Sequence, residues 1–197
     1  MSPPPWPPEF PLHALLLSAA AVAIAEIGDK TQLLSLILAA KYRKALPICL
    51  GIFVATIANH ALAGAFGSLV AGWLSPQTLK WIVAVSFLAI AAWTLVPDKV
   101  DDAEEASKLR SHGVFAATVV AFFLAEMGDK TQVATVVLAA QYEPLWQVVV
   151  GTTLGMLLAN VPVVWLGARV ARKLPLRAAR YAAAVLFVGL AVWIVAR

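Results

Sequence analysis

Apolar residues run in long blocks along this chain, and short polar stretches separate them. The separators are KYRK (41–44), SPQ (75–77), PDKVDDAEEASKLRSH (97–112), QYEP (141–144) and RKLPLR (172–177). The blocks are rich in Ala and Leu and show no period-two alternation, so they predict helices rather than strands. Their limits predict spans at 12–40, 45–71, 79–96, 113–141, 145–169 and 177–196. Each suits a bilayer core of about 30 Å, which takes about 17–25 helical residues to cross. The pattern predicts an all-α integral membrane protein with six transmembrane helices.

Composition agrees. Of 197 residues, 61% are hydrophobic and only 13% charged, and the mean hydropathy is +0.84. A soluble domain sits near half apolar and a quarter charged. The opening MSPPPWPPEFP lacks the basic region of a cleaved signal peptide and reads as a short extended lead-in. The single cysteine, Cys49, excludes an internal disulfide and reads as a small packing residue. A net charge of +4 would suit nucleic acid, but the basic residues flank the apolar blocks. Membrane topology accounts for them better, and no nucleic-acid partner is expected.

Displaced by one hundred positions, the chain aligns with itself without a gap. AEIGDKTQ (25–32) meets AEMGDKTQ (125–132), Leu38-Ala39-Ala40 meets Leu138-Ala139-Ala140, and Tyr42 meets Tyr142. Gly51 meets Gly151, Gly67 meets Gly167, Phe87 meets Phe187 and Trp93 meets Trp193. Roughly a quarter of the overlapping positions are identical, the mark of an internal repeat. The expected division is a first three-helix repeat at 1–97, a charged cytoplasmic linker at 98–112 and a second three-helix repeat at 113–197.

Three helices per repeat is an odd number, so the second repeat enters the membrane from the opposite side. Of the 15 Lys and Arg, eleven fall in or beside the 1–2, 3–4 and 5–6 connections. Only Lys80 and Arg197 lie on the other side, and the remaining two are Lys30 and Lys130 inside the repeated motif. The positive-inside rule then predicts both termini in the periplasm. Inverted repeats meeting at the membrane midplane are a common plan of secondary transporters.

The motif places charge where it is costly. Read on a continuous helix, Glu26 and Asp29 are i and i+3, and Lys30 is i+4 from Glu26, so all three share a face. Gln32 extends that face and Thr31 points further round; Glu126, Asp129, Lys130, Thr131 and Gln132 repeat the set. A charged side chain at mid-bilayer costs at least about 2.5–3.5 kcal/mol. One Glu–Lys pair would suffice to pin two helices, whereas here two acids accompany each lysine. Four carboxylates and two ammonium groups leave −2, which one divalent cation or two protons would cancel. Oxygen ligands suit Ca²⁺, Mn²⁺ or Mg²⁺, and neither motif contains the Cys or His that would favour Zn²⁺ or Cu⁺. The lysines are expected to pair with the i−4 glutamate or with an acid of the other half. Gly28 and Gly128, between the acids, permit close helix approach or a local break.

Other polar residues fall within spans. Asn59 and Asn160 are candidates to line the same site or to bond a neighbouring helix. His60, the counterpart of Asn160, could relay protons but reads better as a core histidine with its hydrogen bonds satisfied. Ser35 and Thr135 either line the path or bond the preceding helical turn. Met127 reads as an ordinary apolar residue.

Two copies of Glu-apolar-Gly-Asp-Lys-Thr, in the first and fourth of six predicted helices, resemble the Gdt-type cation/proton antiporter family over essentially the whole chain. The resemblance implies exchange of Mn²⁺, or of Ca²⁺ in some members, for protons, with bacterial members exporting Mn²⁺. It implies cation binding by Glu26, Asp29, Glu126 and Asp129, with Lys30, Thr31, Lys130 and Thr131 completing the motif. A short chain without an organelle-targeting extension fits a bacterial inner-membrane member. The family is similar in layout to lysine-exporter-type carriers, so a small-solute exporter is the alternative. No cofactor is expected beyond the transported ions, lipid is the surrounding partner, and a homo-oligomer is left open. An intramembrane enzyme is disfavoured, because there is no GxSxG or HExxH and His13, His60 and His112 are scattered. A channel would need neither proton coupling nor a lysine beside each acid.

Overall fold

The computed structural model describes residues 12–96, 113–167 and 176–196. The Pro-rich lead-in, the charged linker with Lys99, Lys108 and Arg110, and Arg169, Arg172 and Lys173 lie outside the described residues. Eight helices and no strand occur among those described. They are α1 (His13–Ala25), α2 (Lys30–Tyr42), α3 (Ala45–Ala71), α4 (Pro76–Thr94), α5 (Val114–Glu126), α6 (Lys130–Gln141), α7 (Leu145–Leu166) and α8 (Leu176–Ala196). The helices α3, α4, α7 and α8 are long and apolar enough to cross a membrane, while α1 and α5 are apolar but only 13 residues each.

The predicted continuous helices over 12–40 and 113–141 are therefore corrected. Each breaks inside the motif, between Ala25 and Lys30 and between Glu126 and Lys130. Gly28 and Gly128 take φ +81 and +73, a left-handed conformation that glycine adopts without a Cβ penalty. Asp29 and Asp129 follow in extended backbone as the N-cap residues of α2 and α6. A break in a bilayer must satisfy its own backbone groups. Here Gly28 N donates to Gln32 Oε1 at 2.9 Å and Gly128 N to Gln132 Oε1 at 2.7 Å.

Helices of one half pack against those of the other. The helix α1 runs along α7, α3 runs along α5, and α4 lies against α8. A Cβ on Gly151 would stand 2.4 Å from Leu15 O and 3.0 Å from Ser18 Cβ. A Cβ on Gly51 would stand 3.0 Å from Phe115 O and 2.6 Å from Thr118 Cβ. These contacts are related by the one-hundred-residue shift, and in both the missing side chain lets two helices touch backbone to side chain. Phe87 and its counterpart Phe187 stack on each other, with centroids 5.9 Å apart.

The exterior is oily, and a polar cluster is enclosed among apolar packing. Leu62, Phe66, Leu158, Trp165, Val185 and Val192 are exposed, whereas Glu26, Asp29, Glu126, Asp129, Lys130, Asn59, His60 and Asn160 are buried. That arrangement matches hydrocarbon as the solvent, since an apolar surface this extensive is rare on soluble monomers. At one end Tyr142 meets the His13 ring edge-on at 5.4 Å and stacks on Trp193 at 6.4 Å. The counterparts Tyr42 and Trp93 make no such contact among the described residues, and Trp93 is 40% exposed. The two halves are alike in sequence and unlike in packing.

Candidate cation site

The helix breaks decide where the motif side chains go. The shared helical face expected for Glu26, Asp29 and Lys30 does not exist, because Gly28 turns the chain between the acids. Each glutamate instead ends the line of one half-helix and each aspartate caps the next. An acid at a helix N-terminus meets the positive end of the helix dipole.

The lysines pair across the halves, not with the i−4 glutamate. Lys30 Nζ stands 3.1 Å from Asp129 Oδ1, and Lys130 pairs with Asp29. Lys130 is buried, while the Lys30 side chain is 18% exposed. These two pairs are each neutral. Glu26 and Glu126, both fully buried, are left to carry the remaining −2 when both are ionised.

One ligand oxygen each from Glu26, Glu126 and Asp129 can be chosen within 4.8 Å of one another. Asp29, held by Lys130, stands outside that group. Each glutamate is fixed through one oxygen. Thr31 Oγ1 donates to Glu26 Oε2, and Thr131 Oγ1 donates to Glu126 Oε2 at 2.9 Å and lies 3.2 Å from Asp129 Oδ2. The other oxygens, Glu26 Oε1 and Glu126 Oε1, are buried and accept no hydrogen bond among the described residues. Buried carboxylate oxygens are ordinarily bonded, and these two belong to glutamates whose carboxylates, with that of Asp129, lie close enough to hold one cation.

The remaining candidates divide. Gln32 spends its amide on Gly28 N and on Ala159 O at 3.0 Å; Gln132 does the same on Gly128 N and on Asn59 Oδ1 at 2.8 Å. Both glutamines brace the breaks, and Asn59 braces Gln132 while reaching Phe123 O at 3.4 Å. Asn160 does face the site, with Nδ2 3.4 Å from Glu26 Oε2 and Oδ1 accepting from Ser35 Oγ at 2.8 Å. Thr135 bonds Thr131 O, its preceding turn. Met127 is 56% exposed, unlike the buried acids on either side of it. His60 is corrected: it is buried, yet neither ring nitrogen has a hydrogen-bond partner among the described residues. The sequence predicts hydrogen bonds that are missing here, because a lone histidine in an apolar helix gives no sign of what it faces.

Comparison with known proteins gives a consistent result. A family model described as "Divalent cation/proton antiporter GDT1" matches residues 14–102 and 114–197. A Vibrio cholerae serotype O1 protein bearing the name "Putative manganese exporter" is 56% identical over 184 residues, covering 93% of this chain and 90% of the relative. "GDT1-like protein 3" of Oryza sativa is 26% identical, covering 91% of this chain and 72% of the relative. A GDT1-like protein of Synechocystis sp. is 28% identical, covering 83% and 87%. No solved structure gives a significant match. The chain belongs to the GDT1 family of divalent cation/proton antiporters.

Proposed function

We propose that this protein exports Mn²⁺ in exchange for protons, with the cation held between Glu26 and Glu126 and completed by Asp129. The family membership makes it a divalent-cation transporter and not an enzyme. The observation that carries the finer reading is the pair of bare glutamate oxygens beside two self-neutralised Asp–Lys pairs. That arrangement leaves −2 in a buried place, which a divalent cation cancels and which two protons cancel equally. An empty, ionised pair of glutamates is penalised by burial, so exchange is favoured over leak. Mn²⁺ is preferred to Ca²⁺ in this proposal because the relative with 56% identity is named for manganese.

The proposed architecture is six spans in two inverted repeats, 1–97 and 113–197, joined by a cytoplasmic linker. The matched Gly51 and Gly151 crossings and the reciprocal Lys–Asp pairs support it. In it, α1 with α2 and α5 with α6 are broken spans whose ends meet at the midplane, the usual location of a transporter's ion site. Both termini face the periplasm of an inner membrane, and a C-terminal reporter active only in the cytoplasm would give signal if that topology is wrong.

The test is reconstitution in liposomes containing a trapped pH dye. Adding Mn²⁺ outside should drive protons out, and Glu26→Gln and Glu126→Gln should abolish this while the protein still inserts. Mn²⁺ entry without proton movement would rule out exchange, and near-normal exchange by both variants would rule out the glutamate site.

A further inference from the structure

His60 lies mid-way along α3 with its ring buried, and Nε2 stands 4.0 Å from Glu126 Oε2. That is too long for a hydrogen bond, which needs about 2.7–3.2 Å. It suits something else. Two ligand atoms on one divalent ion, with bonds of about 2.0–2.3 Å, stand about 3–4 Å apart. Glu126 Oε2, although it accepts from Thr131, keeps a second lone pair for an ion shared with the bare Oε1. An imidazole left without partners is costly, and such groups in a native fold call for an explanation.

The related position in the other half sharpens the contrast. Asn160 is satisfied: its Nδ2 reaches Glu26 Oε2 at 3.4 Å and Met156 O at 3.1 Å, and its Oδ1 accepts from Ser35. At His60 the equivalent hydroxyl, Thr135, bonds its own helix instead. The neighbouring Asn59 is engaged by Gln132. One glutamate thus faces an amide that is already bonded, and the other faces a bare imidazole.

We propose that His60 supplies a nitrogen ligand to the transported cation when it is bound at Glu126, and that this ligand selects a transition-metal ion over Ca²⁺ and Mg²⁺. Ca²⁺ and Mg²⁺ take oxygen ligands almost exclusively, whereas Mn²⁺, though also suited to oxygen, belongs to the first-row series that gains from a nitrogen ligand. The three carboxylates alone would not discriminate in this way. His60 comes from α3, outside either motif, and stands beside Glu126 at the margin of the three carboxylates that lie within 4.8 Å of one another. It would complete the cation's shell from the Glu126 side. The inference rests on the proposal that Glu26, Glu126 and Asp129 bind the cation.

The test is pulsed electron paramagnetic resonance on the full-length protein in nanodiscs loaded with Mn²⁺ alone. The expected spectrum shows a nitrogen coupled directly to Mn²⁺, altered by ¹⁵N-histidine labelling, absent in His60→Asn and retained in His13→Asn. In vesicles, His60→Asn should lower the preference for Mn²⁺ over Ca²⁺ by at least about tenfold, the scale on which loss of one metal-site partner is felt. Mn²⁺ bound without nitrogen coupling in the unaltered protein overturns the inference and leaves the transport proposal standing. Coupling that persists in His60→Asn also overturns it. If the unaltered protein binds no Mn²⁺, the transport proposal itself fails. Should His60→Asn not fold, the labelled unaltered protein decides alone.

Discussion

Lys130 of the second half pairs with Asp29 of the first, and both side chains are buried. The reciprocal pair, Lys30 with Asp129, is 3.1 Å long and reaches the surface on the lysine side. The same two residue types thus meet in unequal surroundings, and the consequences should differ.

Lys130→Gln strips the buried Asp29 of its ion pair. Breaking a buried pair from one side typically costs about 3–5 kcal/mol. Lys30→Gln should cost less, because that side chain is 18% exposed and its pair less desolvated. The double variant Asp29→Asn/Lys130→Gln should recover most of the loss, since it removes both charges together. Unfolding of the purified variants in detergent checks this; equal destabilisation by the two lysine variants would contradict it.

Thr31 and Thr131 each hold one oxygen of a glutamate and so leave the other turned to the site. Replacing either by Val should lower the apparent affinity for Mn²⁺ about 10–100-fold, the usual effect of losing a partner that orients a metal ligand. Replacement by Ser keeps the hydroxyl and should restore affinity. The metal dependence of transport measures both, and unchanged affinity in the Val variants would remove the threonines from the site.

Gly151 sits where α7 crosses α1, and Gly189 sits on α8 with nothing within 4 Å of a new Cβ. Gly151→Ala drives a methyl to 2.4 Å from Leu15 O, so the helices must part at a cost of about 1–3 kcal/mol. Gly189→Ala meets open space and should be neutral or stabilising by under about 1 kcal/mol. Thermal unfolding of the two variants side by side distinguishes close approach from a general effect of removing glycine.

The helical class, the apolar limits of α3 and the doubled motif were legible in one dimension because they are local or periodic. A run of Ala, Leu and Val needs no partner to declare a bilayer helix, and Ala45–Ala71 appears with the limits its apolar block predicts. The charge balance of −2 was equally plain, being a count. The motif's shape was not. A Gly between two acids permits either a helix or a break, and Gln32 and Gln132 decide it by bonding the freed amides. Which acid each lysine neutralises depended on the meeting of the two helix breaks, one hundred residues apart in sequence. His60 shows the limit most clearly. Its identity was visible from the start, but only the packing of α3 on α5 brought a bare imidazole beside Glu126.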